Sequence, residues 1–209
     1  MKKNFEIEFA EEKTQKGKTK FGGQPDWLTK NEWPLSLETG EPMRFICQID
    51  LAEIGYDNHV AKIAYLFMTD GEEFVDGTWE PDGGENAIIL QPGHNTVKTR
   101  EVHDGPTLYV MVEQPDRETL APQPFEGSVN LIPSVDKETD GDLEIVNKFR
   151  GEPVFLQGDE YPSDDETWEL LIQLDSTNVP FYVNFGDAGV GYGFISRDGR
   201  KAKFLWQCT

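Results

Sequence analysis

The chain has 209 residues, of which 39 are Asp or Glu and 19 are Lys or Arg, so its formal net charge is −20. Such a charge disfavours nucleic acid and anionic membranes, which normally require a basic patch, and it suits a basic protein as partner. The two cysteines are too few for a disulfide framework, and no apolar run approaches the ~20 residues of a membrane span, so we expect a cytoplasmic, soluble protein.

Short segments of alternating or continuous apolar residues, separated by Gly, Pro, Asp and Asn, predict strands joined by turns. In chain order the predicted strands are NFEIEFA, MRFICQIDL, VAKIAYLFM, NAIILQ, TLYVMVEQ, GSVNLI, WELLIQLD, PFYVNF, GYGFIS and KFLWQC. The helix candidates, DLAEIGY and DRETLA, are both short. These patterns predict an α+β fold that is mainly β, with antiparallel sheets and few short helices.

An aromatic segment of the chain occurs twice. FGGQPDWLTKNEWP, at 21–34, aligns without a gap on FRGEPVFLQGDEYP, at 149–162, and six of the fourteen residues are identical. The strands that follow also correspond, since MRFICQIDL is answered by WELLIQLDS. We therefore expect an internal duplication, with repeats at approximately 21–93 and 149–208, in which Gly23 and Gly151 occupy equivalent positions.

The duplication predicts how the chain is organised. One sheet cannot cover its own apolar face, whereas two copies packed about a pseudo-twofold axis can cover each other. We expect a single domain, residues 1–209, with one lobe at about 1–105 and the other at 106–209.

The aromatic residues of the repeated segment have two interpretations. A motif that recurs with its Gly, Pro and Leu intact favours a folding element, in which Trp33 and Tyr161 are mostly buried. The alternative is an exposed aromatic patch for a partner, in which Trp27, Trp33 and Tyr161 would be binding residues.

The segments GGQPDWL, EWP, PMRFICQIDL, LLIQLDS, GDAGVGYGFISR and FLWQCT together resemble the YwqG-like family of bacterial proteins, a domain of unknown function, over nearly the whole chain from Phe21. GGQPDWL and PMRFICQ are also similar, more distantly, to the paired repeats of the programmed cell death protein 2 family, a dedicated chaperone for a basic ribosomal protein. The first resemblance implies internal symmetry and supplies no catalytic residues; the second implies that the architecture can serve protein binding.

Motifs for catalysis are scarce in the sequence. The histidines His59, His94 and His103 lack metal-ligand spacing, there is no G-x-S-x-G, and Cys47 lies in the middle of a predicted strand, where a thiol is normally buried. The glycine-rich FGDAGVGYGF favours a tight turn into a strand. Its Asp187 and Gly189 mark where backbone amides could line a small-ligand cleft.

The acidic segment DKETDGDLEIVN, at 136–147, has several features of a calcium loop, with Asp136, Asp140 and Asp142 as candidate metal ligands. Its twelfth position is Asn147 in place of the bidentate glutamate, and the flanking residues are not helical. A solvated acidic loop between the repeats is the favoured interpretation.

Two classes of function remain open. The first is a non-enzymatic module that binds a basic protein, in the manner of an immunity protein or a chaperone, and that needs no cofactor. Asp164, Asp165 and Glu166 are its candidate binding residues, because they adjoin Tyr161. The second is an enzyme, such as a hydrolase, that uses Asp and Glu carboxylates in a cleft between the lobes.

Overall fold

The structure is a computed structural model that describes residues 2–10, 12, 14–56, 60–71, 75–115, 119–139 and 142–209. The described residues contain strands, turns and bends but no helix, so the fold is all β and the predicted α+β class is wrong. The segment DLAEIGY forms hydrogen-bonded turns, in which Gly55 takes a φ of 67° and the amide of Tyr56 donates to the carbonyl of Leu51. In DRETLA, residues 116–118 lie outside the described residues and Leu120 begins a strand.

The described residues form sixteen strands. They are β1 (Lys3–Ala10), β2 (Lys20–Gly22), β3 (Trp33–Pro34), β4 (Arg44–Asp50), β5 (Ile63–Met68), β6 (Asn86–Gln91), β7 (Thr99–Arg100), β8 (Tyr109–Glu113), β9 (Leu120–Pro124), β10 (Glu126–Val135), β11 (Glu138–Thr139), β12 (Asp142–Leu143), β13 (Lys148–Arg150), β14 (Trp168–Asp175), β15 (Val190–Ser196) and β16 (Ala202–Gln207).

Ten of the strands form one antiparallel sheet in the order β16-β15-β14-β13-β1-β10-β2-β4-β5-β6. Its edge strands, β6 and β16, approach each other, so that the sheet nearly closes into a barrel. Three two-stranded sheets, β3–β7, β8–β9 and β11–β12, lie outside it.

The large sheet follows one plan on both sides of the central β1–β10 pair. From β10 the order is β2, β4, β5, β6, and from β1 it is β13, β14, β15, β16. We call the strands from β10 to β6 the first side and those from β1 to β16 the second side. The register shifts at the same place in both, between Phe45 and Cys47 of β4 and between Leu170 and Ile172 of β14.

Apolar side chains fill both faces of the outer strands. The barrel interior holds a cluster to which both sides contribute, including Phe21, Ile49, Phe149, Leu174 and Phe204. Because strand side chains alternate, the residues between them form two further clusters on the outer face, one around Tyr65 and Phe67 and one around Tyr192 and Phe194. Burial on both faces explains why β5 and β15 are continuous apolar runs in the sequence.

One predicted strand is not formed. PFYVNF, at 180–185, contributes only an isolated bridge at Tyr182, and Pro180 has no amide with which to continue a ladder. No helix that could cross a membrane occurs in the part of the chain that the structure describes.

Candidate functional site: a groove beside a β-hairpin

Each side of the sheet carries an aromatic loop on its outer face. The first loop is residues 24–33 and the second loop is residues 152–161. Gln48 of β4 accepts a hydrogen bond from the Asp26 amide at 2.8 Å, and Gln173 of β14 accepts one from the Val154 amide at 2.8 Å. The same side chain type at the same strand position therefore holds each loop at its start.

Two tyrosines extend this arrangement. Tyr65 lies opposite Gln48 in the ladder and Tyr192 lies opposite Gln173. Their hydroxyls donate to the carbonyls of Asp26 and Val154, at 2.9 and 2.7 Å. Burial raises the pKa of both tyrosines, so the hydroxyls remain protonated donors at neutral pH.

A second glutamine on each side holds the middle of the loop. Gln91 of β6 accepts hydrogen bonds from two successive amides of the first loop, each at 3.1 Å, and Gln207 of β16 accepts from two successive amides of the second loop, at 2.9 and 3.0 Å. Both glutamines are almost fully buried. Buried side-chain hydrogen bonds therefore hold both loops in place on the sheet.

The hairpin β8–β9 stands next to the first loop. Its register pairs Tyr109 with Pro124 and Met111 with Pro122, so these four side chains lie on one face. The opposite face includes Val110, which packs against the main core. Met111 is 47% exposed although it is large and apolar, so the hairpin presents an uncovered apolar face.

That face lines a groove of about 1110 Å³. The opposite wall is the turn of the first loop, and the floor is made by β2, β4 and the segment that leads into β8. The lining residues are Lys20, Gly23, Gln24, Pro25, Asp26, Arg44, Gly105, Pro106, Thr107, Leu108, Tyr109, Met111, Pro122, Pro124 and Glu126. Six of them, namely four prolines, Tyr109 and Met111, offer a ring or a thioether for apolar contact, which suits an extended, partly apolar ligand.

Charged groups lie at one end of the groove. The Lys20 side chain is only 7% exposed, and its Nζ is 2.9 Å from Glu126 Oε1 and 3.6 Å from Asp26 Oδ2. The Glu126 side chain is 47% exposed. A buried ammonium is therefore paired with a carboxylate that solvent or a ligand can reach.

Arg44 of β4 is a second charged residue of the floor. Its guanidinium forms an ion pair with Asp70 and donates a hydrogen bond from Nη1 to the carbonyl of Thr107 at 2.6 Å. The guanidinium carbon, Cζ, lies 4.6 Å from the centre of the Tyr109 ring. Burial raises the pKa of Asp70, although Arg44 opposes the shift. Within the described chain, Arg44 Nε and Thr107 Oγ1 are buried without a hydrogen-bond partner, which leaves unsatisfied polar groups in the floor of the groove.

The second side has a smaller pocket at the corresponding place. Gly151 and Pro153 line it where Gly23 and Pro25 line the groove, and its volume is about 310 Å³. Gly23 and Gly151 both take positive φ, 65° and 87°. The larger volume on the first side follows from the β8–β9 hairpin, which adds a second wall.

The aromatic residues singled out from the sequence are placed differently from one another. Trp33 is fully buried, and its Nε1 donates to the carbonyl of Met43 at 2.7 Å. Trp27 is half-buried and stacks on Phe67. Tyr161 is 44% exposed, so the prediction that it is mostly buried is wrong.

Trp33 and Tyr161 differ in burial because a different number of neighbouring segments packs over each ring. β3, which contains Trp33, pairs with β7, and Gly105 lies so close that a Cβ there would be 2.4 Å from the Trp33 ring. Among the described residues no strand pairs beside Tyr161, whose ring contacts are Phe155 and Phe194.

The acids next to Tyr161 lie apart from the groove. Asp164 and Asp165 are exposed, and hydrogen bonding by Ser163 lowers the pKa of Asp165. Glu166 is ion-paired with Lys201. Asp164 and Asp165 thus lie in a solvated turn, whereas the Glu166 side chain is only 24% exposed.

Asp187 and Gly189 lie in a tight turn. The Asp187 carbonyl accepts from the Thr209 amide at 3.1 Å, and the Gly189 carbonyl accepts from the Ser176 amide at 3.0 Å. A Cβ on Gly189 would be 1.7 Å from the Phe185 carbonyl oxygen, so glycine is required by close backbone packing.

The candidate calcium ligands do not come together in the described residues. Asp136 is buried and is bonded to Lys148 at 2.7 Å, to Asn4 at 2.9 Å and to the Glu152 amide at 3.0 Å. These bonds occupy its carboxylate with protein donors. Asp140 and the Asp142 side chain lie outside what the structure describes, and no cluster of three or more potential metal ligands occurs in the described part.

Sequence reasoning missed the groove because its walls come from distant segments. Lys20, Arg44, Tyr109 and Glu126 lie on four different strands or their ends. The one available signal was LAPQP, in which prolines alternate with other residues, a pattern typical of an edge strand.

The comparison with curated proteins found no match. A family model described as a domain of unknown function (DUF1963) matches residues 19–208, which include both loops and the whole of the groove. The chain therefore belongs to this family of proteins, DUF1963.

Proposed function

We propose that this protein is a non-enzymatic binding module that holds an extended segment of a basic partner protein in the groove beside the β8–β9 hairpin. The observation that carries the proposal is the uncovered apolar face of the hairpin, with Met111 47% exposed above a groove of about 1110 Å³. An exposed apolar face beside a concave polar floor is typical of an interaction site.

The charge of the chain supports the choice of partner. A net charge of −20 attracts a basic protein and speeds its diffusional encounter. Glu126 places a carboxylate at the groove itself, and because its side chain is 47% exposed a cationic side chain of the partner can meet it beside Lys20. Two roles fit such a partner, namely neutralising a toxin as an immunity protein and holding a basic client as a chaperone.

Two further assignments belong to this proposal. The YwqG-like character rests on the motifs GGQPDWL, PMRFICQIDL and FLWQCT. The cytoplasmic location rests on the free cysteines, Cys47 and Cys208, which suit a reducing compartment.

The enzymatic alternative would use Asp26 and Glu126, the two carboxylates that meet at Lys20. Both are engaged by the same ammonium group, as in a structural ion pair. Catalysis by these carboxylates would not require the apolar face of the hairpin. The binding hypothesis accounts for both the carboxylates and the apolar face.

The test is a selection of random linear dodecapeptides displayed on phage against the immobilised protein. Enriched peptides are expected to combine apolar and basic residues. Met111→Gln should weaken their binding by about tenfold or more, as central apolar contacts do, whereas Leu37→Gln is the matched control at a 75% exposed leucine away from the groove. Failure to enrich any peptide family, or equal binding by both variants, would contradict the proposal.

A further inference from the structure

The outer edge of β8 has its own hydrogen-bonding capacity. In the hairpin, the Gln114 amide donates to the Thr119 carbonyl, and the Phe125 amide donates to the Leu108 carbonyl. Because bonded positions alternate along an antiparallel pair, Val110 and Val112 also bond across to β9. The residues between them, Tyr109, Met111 and Glu113, therefore direct their amides and carbonyls away from β9.

This edge is used at one point only in the described part of the chain. The Tyr182 amide donates to the outward carbonyl of Tyr109 at 2.8 Å, which forms an isolated antiparallel bridge. The next position of such a ladder would place Pro180 opposite Met111, and proline has no amide to donate. No further backbone pairing of Met111 or Glu113 on this side is found among the described residues.

The opposite edge of the hairpin is closed to pairing. The outward positions of β9 are Leu120, Pro122 and Pro124, and the two prolines remove their amides from that edge. A strand can therefore add to β8 but not to β9. Because the prolines lie on the β9 edge and the unpaired amides of Met111 and Glu113 lie on the β8 edge, the hairpin can accept a further strand only beside β8.

We infer that the partner segment binds as an added β-strand on the outer edge of β8, pairing with the backbone of Met111 and Glu113. In this mode main-chain hydrogen bonds supply affinity, and alternate side chains enter the groove. The inference rests on the proposed function and specifies how its ligand is held.

The charges at this edge select a basic strand. Glu113 is exposed on the hairpin face that carries Met111, and Glu126 lies in the groove wall. In an antiparallel pairing, side chains directly opposite each other lie about 5 Å apart. A Lys or Arg opposite Glu113 is therefore favoured, with an apolar residue two positions away in contact with Met111.

The test uses a dodecapeptide enriched in the display selection and compares Glu113→Pro with Glu113→Gln. Both variants remove the charge, but only proline removes the outward amide. Proline is compatible with an outward edge position, as Pro122 and Pro124 show on β9. Thermal unfolding of both variants verifies that they remain folded.

Glu113→Pro should bind the peptide at least about tenfold more weakly than Glu113→Gln. In the wild type, bound peptide should slow the hydrogen exchange of the Met111 and Glu113 amides, with Val110 and Val112 as controls because their amides already bond to β9. A peptide that binds both variants equally and leaves these two amides unprotected would overturn the inference while leaving the proposed function in place. Failure to enrich any peptide would overturn both.

Discussion

Lys148 and Asp136 form an ion pair that is sealed from solvent, with Nζ 2.7 Å from Oδ1 and each side chain only 1% exposed. The equivalent lysine of the first side, Lys20, is instead paired with the half-exposed Glu126 at the groove. Lys20 lies next to Gln48 in its ladder as Lys148 lies next to Gln173. Lysines at corresponding positions of the two sides thus differ in their surroundings. Lys148 forms an ion pair that is buried in the protein, and Lys20 forms one that borders the groove.

Removing Asp136 should destabilise the fold strongly. Asp136→Ala leaves the Lys148 ammonium buried without its carboxylate, and the loss of one partner of a buried pair costs about 3 to 5 kcal/mol. Urea unfolding followed by tryptophan fluorescence measures the change. Glu6→Gln is the control, because it breaks the more exposed pair with Lys137 and should cost much less. Equal losses of unfolding free energy in the two variants would contradict the conclusion that the buried pair of Asp136 and Lys148 stabilises the fold.

The stability should fall in acid partly through Asp136. Burial opposes its ionisation, but the bonds from Lys148, Asn4 and the Glu152 amide outweigh burial, and the pKa of Asp136 lies below its ordinary value of 3.8. A lowered pKa stabilises the fold above the pKa of the unfolded chain, and this contribution disappears as the pH falls through the folded pKa. The difference in free energy of unfolding between wild type and Asp136→Asn should be constant above about pH 5 and shrink below about pH 4. A difference that grows in acid would show the opposite shift.

The two matched aromatic positions should differ in their contribution to stability. Trp33→Ala removes a fully buried ring and its hydrogen bond to Met43, which should cost about 3 to 5 kcal/mol. Tyr161→Ala should cost far less, because Tyr161 is 44% exposed. Denaturant titration of both variants provides the comparison. A larger loss for Tyr161→Ala would mean that the second loop is more important to folding than its burial indicates.

Association with a basic peptide should slow as salt rises. Charges more than about 10 Å apart are screened at 0.1 M ionic strength, and steered encounters can lose about tenfold or more in rate when the field is removed. Stopped-flow measurement at increasing NaCl should show a falling on-rate with a smaller change in off-rate. Glu126→Gln should lower the on-rate more than Asp164→Asn, since Glu126 lines the groove and Asp164 does not. An on-rate that does not change with NaCl concentration would contradict the proposal that electrostatic attraction speeds binding.

Strands that are buried on both faces were predictable, because burial makes their sequences continuously apolar. β5, β14 and β15 are rich in apolar residues because both faces of each strand are covered, so their positions could be read directly. β9 was missed because Pro122 and Pro124 argue against a strand unless the strand lies at an edge. The predicted PFYVNF strand failed because Pro180 has no amide with which to extend the single bridge between Tyr182 and Tyr109 into a ladder.

The site was less predictable than the fold. The sequence drew attention to Trp27, Trp33 and Tyr161, whose rings cover the outer sheet faces. The groove depends instead on tertiary proximity, since Lys20 and Glu126 are 106 positions apart and meet only because β2 pairs with β10. Spacing along the chain contains no signal for such a pair.

The most direct test of the account is NMR mapping of the bound peptide. A dodecapeptide from the display selection would be titrated into isotope-labelled protein, and amide shifts would be followed at each residue. The account predicts that the largest changes fall at 105–113 and 120–126, which include part of the groove floor and the whole described hairpin. Changes centred on Tyr161 and residues 164–166 instead would place the binding site at the end of the second loop and contradict the central claim.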